Sequence, residues 1–195
     1  MLSALRQPIL YAEEMWRKQR TWALFLIVAG LAFSGFFLLY RHARLDSTTA
    51  VLLGYVPAGL VYGGILLYYR WRSYVEATDA GLKVSNLLSS VVIDYDLLRS
   101  PRVQTLDKHF QDERKRYIRP ISRPLMPRPA LFLRLRGDEA QVARIRRRLG
   151  QQLVADDTVA LPIPDPDAMA WEVSSRLPEP TSVNRGGRRR GKRSR

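Results

Sequence analysis

"TWALFLIVAGLAFSGFFLLY", residues 21–40, carries no charged side chain, and "AVLLGYVPAGLVYGGILLYY", residues 50–69, repeats the pattern after a nine-residue interval. Twenty helical residues rise about 30 Å, the thickness of the hydrocarbon core of a bilayer. A helix of a soluble protein keeps a polar stripe, and the first run has none. Aromatic residues gather at the ends of the runs: Trp16, Trp22 and Tyr40 around the first, Tyr68, Tyr69 and Trp71 closing the second. Amphipathic rings favour the headgroup level of a membrane. A cleaved signal peptide would have a shorter apolar region, about 7–15 residues, ending in a small-residue cleavage site. Here "EEMWRKQR" precedes a longer run and a second one follows at once. The reading is a permanent transmembrane hairpin rather than a signal peptide or two buried helices of a soluble protein.

Basic residues near the ends of spans set orientation. Arg6, Arg17, Lys18 and Arg20 precede the first run, and Arg70 and Arg72 follow the second. The connecting "RHARLDSTT" holds Arg41 and Arg44, partly offset by Asp46. Both termini are therefore expected in the cytoplasm, with the short loop outside. The chain divides into a cytoplasmic N-terminal segment (1–20), helix 1 (21–40), an external loop (41–49) and helix 2 (50–69). A cytoplasmic domain (70–180) and an Arg-rich tail (181–195) follow.

Inside the spans, Gly59 and Gly63 form a GxxxG, and Gly30 with Ser34 a second small-xxx-small pair. Small residues let helix backbones approach closely where hydrophobic drive is missing. They serve either dimerisation or packing of the two spans on each other, and the second is preferred. Pro57 removes a donor inside helix 2 and is expected to bend it. No ionisable residue lies in either core, so a proton relay or ion pathway has no candidate residue.

The chain has 195 residues, a formal net charge of +14 and no cysteine. Disulfides, thiolate metal sites and cysteine nucleophiles are excluded. The stretch from 70 to 180 suffices for one small core. There, "SYVEATDAGLKVSN" reads as two strands about an Asp79–Ala80–Gly81 turn, with Gly81 free to take a positive φ. In "SSVVIDYDLL" the side chains of Val92, Asp94 and Asp96 alternate with Val91, Ile93, Tyr95 and Leu97, as in a strand. "RVQTLDKHF" is a candidate strand, and "ALFLRLRG" sets Leu131, Leu133 and Leu135 against Arg134 and Arg136. Helices follow. Asp138 is placed to cap a helix with a Val142, Ile145, Leu149, Leu153 stripe, and "TVALPIP" is a strand or extended segment. Asp165 and Pro166 open a second helix lined by Met169, Val173 and Leu177. The expected architecture is a two-helix transmembrane hairpin plus a small cytoplasmic α+β domain with an antiparallel sheet.

A hairpin near the N-terminus followed by "YVEATDAGLKVSN…VVIDYDLL" resembles the small bacterial two-span membrane proteins with a pleckstrin-homology-like domain. Tyr74, Thr78, Asp79, Gly81, Leu82 and Ile93 carry that resemblance, which covers roughly residues 20–136. It implies a scaffold or binding domain with a PH-like sheet in the inner (plasma) membrane, and no catalytic residue to carry over. The basic, proline-rich insertion before Ala130 and the helix-rich end depart from the family pattern.

The residues give an enzyme little to stand on. Asp94 and Asp96 share a strand face, but nothing local supplies the cleft that paired carboxylates need. His42 and His109 are expected on opposite sides of the membrane and so cannot share a metal. No Ser/His/Asp order or phosphate-binding glycine loop occurs. No catalytic, metal or cofactor residue is assigned.

The positive charge has definite addresses. Residues 99–136 hold eleven Lys/Arg against three Asp/Glu, Arg144 and Arg146 to Arg148 add four, and the tail from Arg185 adds seven. Within the first group, Pro120, Pro124, Pro127 and Pro129 favour an extended chain. This arm is either a solvated loop or a contact for anionic lipid or a partner through Arg114, Lys115, Arg116, Arg119, Arg123 and Arg128. The tail, with Arg185, Arg188, Arg189, Arg190, Lys192, Arg193 and Arg195, has the composition of a disordered phosphate binder. Its arginines do not choose among lipid, RNA and DNA, and it lacks the aromatics that stack on bases. The expected function is a non-enzymatic membrane protein presenting a basic domain to a protein partner and anionic headgroups. The alternatives are a membrane-tethered nucleic-acid or ribosome binder working through the tail, and an accessory subunit of a membrane complex.

Overall fold

The computed structural model describes residues 5–41, 47–87, 89–109, 122–150 and 152–178. Two helices, α1 (Leu10–Arg41) and α2 (Ser47–Arg72), pack along each other. Gly30 of α1 meets Val56 of α2 and Gly59 meets Ile27, so the helices run antiparallel. Pro57 lies inside α2 without ending it. Among the described residues, Leu10–Phe36 is the one helical segment long and apolar enough to cross a membrane.

Residues 6–20 carry structure of their own ahead of the first apolar run. Strand β1 (Arg6–Pro8) pairs antiparallel with β2 (Tyr74–Thr78), and α1 begins at Leu10 rather than at residue 21. Ile9, Leu10, Tyr11 and Ala12 are buried, so burial in the domain selects the helix start, not the hydrocarbon boundary. Three attachments hold it there. The Ile9 amide donates to Ser73 O at 3.1 Å, the Leu10 amide to Pro162 O at 2.8 Å. Gln7 clamps the backbone of Asp165, donating from Nε2 to its carbonyl and accepting from its amide, both at 2.9 Å.

The expected single antiparallel sheet is corrected to two. The first has the order β1-β2-β3-β4, with β3 Gly81–Ser85 and β4 Ser90–Ile93. The second has the order β5-β6-β8-β7: β5 is Arg102–Thr105, β6 Pro129–Arg134, β7 Val154–Ala155 and β8 Thr158–Leu161. Gly81 turns the β2–β3 hairpin at φ 149, and a Cβ there would lie 2.5 Å from Ile93 O. After Ile93 the strand expected over "SSVVIDYDLL" gives way to a 3-10 turn, Tyr95–Leu97, although Val91, Ile93 and Tyr95 stay buried while Val92, Asp94 and Asp96 stay exposed. "RVQTLDKHF" likewise ends as a strand at Thr105 and continues as a 3-10 turn.

Each sheet turns one apolar face inward, and both faces join one cluster. Val75, Ala77, Leu82, Val84 and Ile93 meet Leu131, Leu133, Val159 and Leu161. Helix α3 (Glu139–Leu149) adds Val142, Ile145 and Leu149, and α4 (Pro166–Arg176) adds Met169 and Val173. The side chain of Asp138 accepts from the Gln141 amide at 2.7 Å, and that of Asp165 from the Ala168 amide at 2.9 Å. These caps satisfy amides that a helix start leaves free. Helix α4 touches strands of both sheets and so closes the domain.

Candidate functional site

Three places collect the residues that the sequence singles out. The first is the hairpin seam. A Cβ on Gly59 would lie 2.7 Å from Ile27 Cγ1 and 3.0 Å from Ala23 O, and one on Gly30 2.9 Å from Val56 Cγ2. Gly63 is looser, facing Ala23 Cβ at 3.6 Å, and Ser34 is buried with no hydrogen bond to its hydroxyl among the described residues. The glycines at this seam therefore face the other helix of the same chain. The outer surface of the hairpin is apolar: Phe25, Val28, Leu31, Phe33, Leu60, Val61 and Ile65 are all exposed.

The second place is the base of the hairpin. Tyr62 Oη donates to Gln19 Oε1 at 2.9 Å, and Arg70 pairs with Glu13 at 3.1 Å. Glu14 is buried, and Arg17 and Lys18 pair with it at 2.8 and 3.6 Å, which offsets the cost of burying its charge. Beside these pairs is a cavity of about 360 Å³, lined by Leu10, Glu13, Glu14, Trp16, Arg17, Arg20 and Arg70 from the helices and by Leu125 and Arg128 from the domain. Arg20 and Arg128 have no carboxylate partner among the described residues. Trp71 is 80% exposed at the same end of α2, and Trp22 is 63% exposed just above on α1. Cationic side chains and amphipathic rings thus share one level, where each helix leaves the domain.

The third place is the outer face of the second sheet, where an open groove of about 510 Å³ runs along β5 and β6. Arg99, Arg102, Lys108, Arg134 and Arg136 line it together with Gln104 and Phe132. Arg134 bonds Asp157 at the rim, and that bond, ahead of any other cause, holds the Asp157 carboxyl below its ordinary range. Asp107 is also held low, chiefly by a hydrogen bond from the Thr105 side chain.

Of the six arm residues, Arg123 is exposed on a 3-10 turn, Arg123–Leu125, and Arg128 lines the cavity at the hairpin base. Arg114, Lys115, Arg116 and Arg119 lie outside the described residues, as does the whole tail, Arg185, Arg188, Arg189, Arg190, Lys192, Arg193 and Arg195 included. Sequence reasoning used Arg17, Arg20 and Arg70 only to orient the spans and missed their convergence with Arg128. It counted the charges of the groove without seeing one face, although Arg134 and Arg136 alternate with leucines in the sequence. Among the described residues no group of three His, Asp or Glu side chains is arranged to hold a metal. No protein family, curated protein or solved structure matches the chain.

Proposed function

We propose that the chain is a non-enzymatic integral membrane protein: a two-span anchor whose cytoplasmic, PH-like domain contacts anionic lipid headgroups at the hairpin base and receives a protein partner. One observation carries the reading. Strand β1 precedes the hairpin, β2 follows it, and the two are hydrogen-bonded. Both ends of the hairpin are therefore on the same side, so if α1 crosses a bilayer, α2 crosses back. A cleaved signal sequence conflicts with that pairing, because removal of α1 would take Ile9, Leu10 and Tyr11 out of the core. A soluble core helix conflicts with exposure, since only 17% of an 18-residue apolar window of α1 is buried.

Two sheets closed by α4 support the PH-like reading of the domain. The cavity lined by Arg20 and Arg128 supports headgroup contact, because basic side chains at an anionic surface are worth about 1 kcal/mol each. The test of the anchor uses single cysteines and an impermeant thiol reagent on intact cells. Ser47→Cys is labelled and Ser182→Cys is not; labelling of Ser182→Cys alone, or of both, sinks the topology. For the headgroup contact, Arg20→Gln with Arg128→Gln lowers the phosphatidylglycerol retained through purification at least threefold. Unchanged retention removes lipid from the proposal and leaves the anchor standing.

A further inference from the structure

We infer that the outer groove of the second sheet receives an acidic, extended peptide segment of a protein partner, which adds as a strand to the free edge of β5. The inference rests on the reading of the chain as a membrane-anchored binding module and names the chemistry of its partner.

Charge is the first argument. Arg99, Arg102 and Arg136 are exposed in the groove and have no carboxylate partner among the described residues, whereas Arg134 is already neutralised by Asp157. The second argument is the edge itself. Strand β5 ends the sheet, and Arg102 stands opposite Phe132 and Gln104 opposite Ala130. The Leu106 amide donates to Arg128 O, so the even-numbered residues of β5 turn their backbone toward β6. The amides of Val103 and Thr105 then point away from the sheet, and among the described residues no backbone group accepts from them. An unpaired edge is a template for an added strand, whose alternate side chains fall on one face. On that face a peptide with acidic alternate residues meets Arg102 and, beyond the strand end, Arg99 and Arg136.

The groove also suits a peptide better than RNA. Among the described residues Phe132 is its one aromatic lining residue, too few to stack successive bases. Access is open. Arg128 is at the hairpin base, and Arg134 is roughly 20 Å further along the strand at about 3.4 Å per residue. A soluble partner therefore reaches the far end without touching the helices.

The test uses the full chain in nanodiscs of phosphatidylcholine alone, so that peptide binding is read apart from anionic-lipid contact. The probes are a fluorescent ten-residue peptide alternating glutamate with threonine and a fluorescent ten-nucleotide oligouridylate, followed by anisotropy. Arg102→Glu with Arg136→Glu weakens peptide binding at least tenfold. The same charge change in the tail, Arg189→Glu with Arg190→Glu, alters it less than twofold. Thr105→Pro deletes one outward amide and the side-chain bond to Asp107, spares the ladder to β6, and weakens binding about fivefold relative to Thr105→Val, which loses that side-chain bond alone. Should Thr105→Pro lower the unfolding temperature, a peptide N-methylated at alternate residues tests the same bonds from the ligand side and binds about fivefold more weakly. Equal loss from the groove and tail reversals, or full binding by the methylated peptide, overturns the proposal. So does tighter, groove-dependent binding of the oligouridylate, which would make the site one for nucleic acid whatever the fate of the lipid reading.

Discussion

From Leu10 to about Gln19, α1 hides its apolar side chains in the β domain; from Trp22 onward the same helix turns them outward. Leu10, Tyr11, Ala12 and Glu14 are buried below, whereas above it is, among the described side chains, Ala23, Gly30 and Ser34, all small, that are buried. Below, the interior is filled by large side chains and the surface is charged. Above, small residues draw two helices together and the large apolar ones are left outside. Water penalises such an exposed surface, while hydrocarbon does not. One unbroken helix thus obeys two packing rules, and the change between them is what the proposed membrane anchor requires.

The sharpest way to break this contrast is to place a charge on the outward face. Val28 is exposed in the upper half. In hydrocarbon, Val28→Lys costs about 2.5–3.5 kcal/mol of insertion free energy. The share of the protein resisting alkaline extraction from membranes falls accordingly; a surface-neutral result would mean that this face meets water. The seam comes next. Gly59→Leu forces a side chain into Ile27 and the Ala23 carbonyl and costs about 1–3 kcal/mol, seen as a lower unfolding temperature in mild detergent. Gly63→Leu, with its nearest neighbour at 3.6 Å, costs less. Loss of self-association at unchanged stability would instead assign the glycines to a dimer.

The attachment of the lower half is probed by Gln7→Ala, which leaves the backbone amide and carbonyl of Asp165 without their partner. The expected loss is about 1–2 kcal/mol, with hydrogen exchange at Leu10 and Tyr11 rising before that of the β6 amides. Equal change everywhere would deny that the helix start opens as a local unit. The smallest effect belongs to the domain surface. Arg134 holds the Asp157 carboxyl below its usual value. That bond contributes above an unfolded pKa of about 3.8 and is lost as pH falls through the lowered folded value. Both side chains are more than a third exposed, so Asp157→Asn costs at most about 0.5 kcal/mol at pH 7. The difference from wild type closes at the acid end of that window, in unfolding curves taken at pH 7 and pH 3.

Much of this was legible in the chain. Twenty uncharged positions in a row announce α1, the alternation of Leu131, Leu133 and Leu135 announces β6, and Asp138 and Asp165 announce their helices, because each signal is local and periodic. What was missed has no local signal. "RQP" becomes a strand only because β2 offers it an edge, and a two-residue strand such as Val154–Ala155 has no period to read. Alternation tells which face a residue is on but not which sheet it joins, so one sheet was expected where two share a core. Arg128 meets Arg20 only through tertiary packing, and Arg102 meets Phe132 only through strand register.

The clamp between Gln7 and Asp165 joins residues 158 positions apart. At roughly 5–20 residues per second, the ribosome makes Asp165 about 10–30 s after Gln7. In that interval the whole hairpin has been synthesised and the first helix is still missing the carbonyl that receives its Leu10 amide. Closure of so long a loop is slow by its topology. The nascent chain can pair β1 with β2 early, but its opening residues gain the attachments to Pro162 and Asp165, and the domain locks, only after β8 has been made.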